Sequence, residues 1–151
     1  MFFDKKLRAL IVQDEIARGL PLPSYGRPGD VCMDIATAVR TIVPAFSGAD
    51  VRTGLHVVPP HGYYFRVVGK GSSARVGFFF TLEIIDREYT GEIILHPWNA
   101  SAVDVVVERG KCIAQLELCR VTPFKWKLTE LNRLPKTERG SGRMDSTKTG
   151  V

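Results

Sequence analysis

Short runs of β-branched and aromatic residues, each stopped by proline or glycine, constrain this chain more than any other feature. The runs are Leu55 to Val58, Tyr63 to Val68, Phe78 to Ile85, Glu92 to Leu95, Ala102 to Val107 and Ile113 to Val121. Several alternate apolar with polar residues and none sustains a helical period, which suits strands. Pro59-Pro60-His61-Gly62, Thr90-Gly91 and Arg109-Gly110-Lys111 supply the restricted or left-handed backbone that strand reversals need. The pattern predicts an all-β barrel or sandwich of antiparallel strands. At 151 residues there is room for one such domain and not for two ordinary ones.

Two segments break the rhythm. Lys70 to Val76 is small, polar and basic, and predicts a loop entering one short helix whose first amides face an anion. From Pro135 to Val151 the bulky apolar residues nearly vanish, so the chain divides into a β body over 1–134 and a flexible C-terminal tail over 135–151. The whole is 44% hydrophobic and 25% charged, which excludes global disorder. A net charge of +5 suits a polyanionic partner, a phosphorylated small molecule or plain solubility, and does not choose among them. Cys32, Cys112 and Cys119 are odd in number and lack a CxxC spacing, pointing to a reducing compartment, cytoplasmic or nuclear. Charges within the first ten residues argue against a signal peptide, and no apolar run has membrane-spanning length, so no membrane partner is expected.

Five segments carry more. In order they are Gly29-Asp30-Val31-Cys32-Met33-Asp34-Ile35, Gly69 to Gly77 (GKGSSARVG), Ile84 to Glu92 (IIDREYTGE), Arg109 to Leu116 (RGKCIAQL) and Arg139 to Thr147 (RGSGRMDST). Each is weak alone. Together, in this order, they resemble the five motifs of the trimeric dUTPase family: GDAGYDL, a GRSS or PRSG loop, VIDxDYxGE, KGDRIAQL and RGSGGFGST. The counts from Gly77 to Asp86 and from Gly91 to Asn99 match without a gap.

The resemblance implies a jelly-roll β-barrel of the β-clip kind, a homotrimer with shared active sites, and hydrolysis of dUTP to dUMP and pyrophosphate with Mg²⁺ held mainly by phosphates and water rather than by protein ligands. It makes Asp86 the group that orients and deprotonates the attacking water, with Ser72 beside it as a catalytic hydroxyl. Tyr89 would pack under the deoxyribose and exclude a 2′-hydroxyl. The stretch from Phe78 to Glu83 would read uracil through its main chain, with Phe80, Ile84 and Ile85 lining the base. Lys70, Gly71, Ser73, Gln115 and Arg139 would hold the phosphates, and Met144 and Ser146 would belong to a tail closing over the nucleotide. No nucleic-acid partner is implied.

The sequence also departs from that family. Gly71 falls where the family has serine, leaving Ser72 one position late; Glu83 replaces a glycine at the uracil edge, Cys32 a first-motif glycine, Lys111-Cys112 an Asp-Arg pair, and Met144 an aromatic ring. These changes keep a second reading open, a non-catalytic binding module derived from the enzyme. The dCTP deaminase family shares the fold and a similar loop, but where it carries a catalytic glutamate this chain reads Leu95-His96-Pro97-Trp98-Asn99, which disfavours deamination.

Overall fold

The structure is a computed structural model that describes residues 7–137 and 140. Twelve strands account for its regular structure: β1 (Leu10–Gln13), β2 (Cys32–Ala36), β3 (Thr41–Val43), β4 (Ser47–Gly48), β5 (Val51–Val58), β6 (Tyr63–Gly69), β7 (Phe78–Phe80), β8 (Glu83–Ile85), β9 (Glu92–Leu95), β10 (Pro97–Asn99), β11 (Val105–Val107) and β12 (Cys112–Arg120). Every pairing among them is antiparallel. They form sheets in the orders β1-β5-β9, β4-β10-β7, β11-β3 and β2-β12-β6-β8, which together wrap one core.

Alternation decides what that core contains. Phe65 and Val67 of β6 point inward while Tyr64 and Arg66 point out, and Leu55 and Val57 do the same on β5. Buried polar groups are paired: the Asn99 amide donates to the carbonyls of Val43 (3.0 Å) and Val103 (2.8 Å), and the Thr37 hydroxyl to that of Glu108 (2.9 Å). The turns at Pro60 to Tyr63 and Glu108 to Lys111 close where the sequence places them, with Gly62 and Gly110 left-handed.

Two predicted elements differ. The run Phe78 to Ile85 is not one strand: β7 pairs with β10, β8 pairs with β6, and Thr81 and Leu82 link two sheets. The short helix is a six-residue 3-10 turn, Gly71–Val76, stopped by the left-handed Gly77. The short strands β1 to β4 and β10 are not legible in the sequence, because two to five residues carry too little period to stand out.

The ladders are interrupted twice. Between Cys112 and Ala114 of β12 one residue, Ile113, is surplus to the β2 register, so both Ile113 and Ala114 are buried. Between Arg52 and His56 the β5 register to β9 also shifts. There the amides of Thr53 (3.1 Å) and Gly54 (2.8 Å) donate to the Glu92 carboxylate, which also takes the Arg52 guanidinium at 2.7 Å. Burial acts to raise the Glu92 pKa, but the Arg52 bond and the two amides outweigh it, so the carboxyl lies below its ordinary value.

A carboxyl lowered on folding contributes stability above its unfolded pKa and loses that contribution as pH falls through the folded value. Glu92→Gln is therefore expected to cost about 2 kcal/mol near neutral pH, and the difference from the unsubstituted chain should shrink on acidification. Urea unfolding of both proteins from about pH 7 to about pH 3 measures it; a gap that stays constant would remove the ionised carboxylate from this account.

Candidate functional site

The Ile113 bulge builds half of the site. Its carbonyl accepts the Lys70 amide (2.9 Å) and the Ser73 hydroxyl (2.8 Å), which docks the 3-10 turn against β12. Ser73 is thereby buried, and its hydroxyl is engaged inside the protein. Gly71 and Ser72 stay exposed at the start of the turn. The Ser73 amide bonds back to the Lys70 carbonyl at 2.8 Å, so one of the amides expected to face an anion is taken.

Beside this turn the Lys70 ammonium pairs with the Asp34 carboxylate, and the Gln115 amide donates to the other Asp34 oxygen at 2.7 Å. Lys70 follows β6, Gln115 stands opposite both Val68 of β6 and Asp34 of β2, and all three face outward, half-buried. Burial pushes the Asp34 carboxyl up, and the Lys70 and Gln115 hydrogen bonds overcome it, leaving it below the usual range. The last four sequence segments carry expected functional residues, whereas no role is expected of Asp34. Its signal is present, a carboxylate on an alternating strand soon after the Gly29-Asp30 turn, but only the fold shows which cation it meets.

The second half lies around β7 and β8. Thr81 and Leu82 are exposed and make no main-chain hydrogen bond among the described residues. Phe80 is half-buried with its ring over Gly69, where an added Cβ would come within 2.5 Å of it. Ile84 is exposed and Ile85 is buried in the core, so the two cannot present their side chains to the same molecule. Glu83 is not left unpaired: its carboxylate meets His96 Nδ1 at 2.7 Å.

Asp86 is exposed in the turn after β8, where its carbonyl accepts the Tyr89 amide at 3.2 Å. Arg87 pins that turn by donating to the Pro59 carbonyl at 2.8 Å. The Tyr89 ring folds back over Gly91, whose missing side chain leaves the space, and its hydroxyl donates to the Glu92 carbonyl at 2.9 Å. Glu92, anchored to β5, thus fixes the Tyr89 platform, a role its place in the third segment does not reveal.

Asp86 and Lys70 do not meet within one chain. Asp86 lies one step beyond the Phe65↔Ile85 pair, level with residue 64 of β6, while Lys70 follows the other end of that strand. Six residue rises separate them by about 20 Å. Arg139, Met144 and Ser146 lie outside the described residues. Among the described residues no cluster of three His, Cys, Asp or Glu side chains is set to hold a metal. One carboxylate, Asp34, stands beside the phosphate-type cation Lys70, a donor set that fits an ion filling its other positions with phosphate oxygens and water.

A family model described as dUTPase matches residues 18–148. The deoxyuridine 5'-triphosphate nucleotidohydrolase of Dictyoglomus turgidum is 34% identical over 148 residues, covering 93% of this chain and 98% of its own. That of Anaplasma marginale is 32% identical, covering 95% and 99%. Among solved structures, the dUTPase of Staphylococcus bacteriophage 80alpha with dUpNHpp aligns at a TM-score of 0.80 and 18% identity, over 95% of this chain and 99% of that one. A mutant dUTPase from phage phi11 of S. aureus, which coordinates a structural Mg(II) ion, aligns at 0.73 and 16% identity, over 82% and 97%. At these identities the structures speak to the fold, which is theirs. By sequence and fold together, the chain belongs to the dUTPase family.

Proposed function

We propose that this chain hydrolyses dUTP to dUMP and pyrophosphate in a site completed between copies of itself. The observation that carries the reading is the free main chain of Thr81 and Leu82, held open between two strands that pair elsewhere, with Asp86 and Tyr89 in the turn at the far end of β8. Unpaired N–H and C=O groups on a rigid edge match the donor and acceptor edge of a pyrimidine. Tyr89, fixed on Gly91, offers a flat face to the sugar with little room for a 2′-hydroxyl.

Asp86 is exposed and positioned by a pinned turn, as a carboxylate that orients a water and accepts its proton must be. Lys70, Gln115 and Ser72 supply donors for the phosphates, and the cation among them offsets charge developing on the leaving pyrophosphate. Mg²⁺ bound with the triphosphate would neutralise phosphate charge, with Asp34 the carboxylate able to reach its water shell. Arg139, Met144 and Ser146 are assigned to the tail that closes over the nucleotide.

A separation of about 20 Å between Asp86 and Lys70 is too great for one nucleotide to bridge with both in hydrogen-bond contact, so a second copy must bring its Lys70 half to the Asp86 half. Three copies are what the family resemblance implies. Past β12 the chain supports this association: Phe124, Trp126 and Leu128 alternate with lysines and are 71%, 90% and 99% exposed, a strand-like apolar face that asks for a partner. Its three free cysteines suit a reducing compartment, cytoplasmic or nuclear.

Asp86→Asn is expected to lower turnover of dUTP by about 10²- to 10⁴-fold while nucleotide binding persists, read by pyrophosphate release and by titration calorimetry. Co-refolding that variant with Gln115→Ala should recover part of the activity that neither has alone, since mixed assemblies contain some sites with both halves intact. Absence of recovery would place both residues in one chain's site. Ending the chain after Val121 is expected to yield a dispersed monomer by light scattering with no turnover; an intact assembly would relieve the arm of its role.

A further inference from the structure

We infer that Glu83 and His96 form a positioning pair that sets the width of the slot between β7 and β8, and through it the exclusion of pyrimidines bearing a 5-methyl group. The inference rests on the reading of that slot as the base site. β7 belongs to the sheet of β10, and β8 to the sheet of β6, so no ladder bond holds the two strands at a fixed spacing. Thr81 and Leu82 join them without main-chain bonds of their own among the described residues. Beyond the shared core that holds Phe78 and Ile85, two contacts bear on the gap. One is apolar, the Phe80 ring against Gly69, which ties the end of β7 to β6. The other is the 2.7 Å hydrogen bond between Glu83, the first residue of β8, and His96, the link between β9 and β10. It is a side-chain hydrogen bond that ties β8 to the sheet holding β7.

Its setting favours a positional role. Glu83 Oε1 is bonded to His96 Nδ1, and the other ring nitrogen faces Asp50 Oδ1 at 3.5 Å, so the imidazole is braced from both sides. His96, Asp50, Phe80 and Thr81 line one cavity of about 390 Å³ alongside the slot, which puts the brace within a residue or two of the groups that would read the base. Glu83 is 23% exposed and His96 half-exposed, so the bond is shielded from water on the glutamate side. A glutamate at this position is a departure from the family's glycine, and the histidine beside it is its structural complement. Cutting the tie lets β8 drift from β7, which weakens pairing with uracil and admits the methyl group of thymine.

Glu83→Ala and His96→Ala should each raise KM for dUTP by about five- to tenfold, the effect of losing one charge-assisted hydrogen bond, with kcat falling far less. Preference for dUTP over dTTP should drop in the same variants. The exchanged pair, Glu83→His with His96→Glu, should recover much of both, and thermal melting of each variant reports folding separately. Unaltered KM and dTTP discrimination in the single variants would overturn the inference, as would an exchanged pair no better than either single. If the unsubstituted protein releases pyrophosphate from no nucleotide, the function itself fails and the inference falls with it.

Discussion

One carbonyl of β12, that of Ile113, organises half of the candidate site. It stands opposite Lys70, where the β12 to β6 register runs out, and accepts both the Lys70 amide and the Ser73 hydroxyl. That double contact fixes where the chain leaves β6, and so where Lys70 and the exposed Ser72 stand relative to Asp34 and Gln115. The side chains of the cluster are long or mobile in principle; the backbone beneath them is not.

On the other half a break in register does the fixing. Where β5 and β9 lose step, the amides of Thr53 and Gly54 turn to the Glu92 carboxylate, and Glu92 in turn carries the carbonyl on which the Tyr89 hydroxyl rests. In both places an acceptor on one strand takes groups from a distant segment, and a residue with a proposed role is set one bond away. Asp86 and Lys70 are then held at opposite ends of β6, which cannot shorten, and the proposed association between copies rests on that stiffness.

How far the sequence was legible follows from this construction. Strand identity and the major turns could be read because Phe65, Val67, Leu55 and Val57 alternate over enough residues to show a period. Residues whose proposed role is in the side chain, Asp86, Tyr89, Lys70 and Gln115, stood out through their local motifs. What could not be read was anything owed to register. Nothing in Phe78 to Ile85 announces that the strand divides at Thr81, because the division is decided by which sheets have open edges for β7 and β8. The inward turn of Ser73 has the same origin: two adjacent serines look alike until the bulge chooses one. Ile85 likewise reads as a site residue in a motif, and its side chain lies in the core.

The departures from the family pattern gain physical content in this light. Cys32 pairs in register with Glu117, two positions before Asp34 on the same outward side, and so lies along the sheet from the Lys70 cluster without displacing any of its members. Lys111 is exposed just before the bulge, where its side chain leaves the Ile113 carbonyl undisturbed. Glu83 would be costly as an unpaired, mostly buried carboxylate, and His96 removes that cost by meeting it directly. These three changes fall where the main-chain scaffold of the candidate site does not depend on the side chain replaced. A framework whose geometry resides in bulges and carbonyls can accept such substitutions as long as the freed backbone groups keep their partners, and here Lys70, Ser73, Thr53 and Gly54 all do.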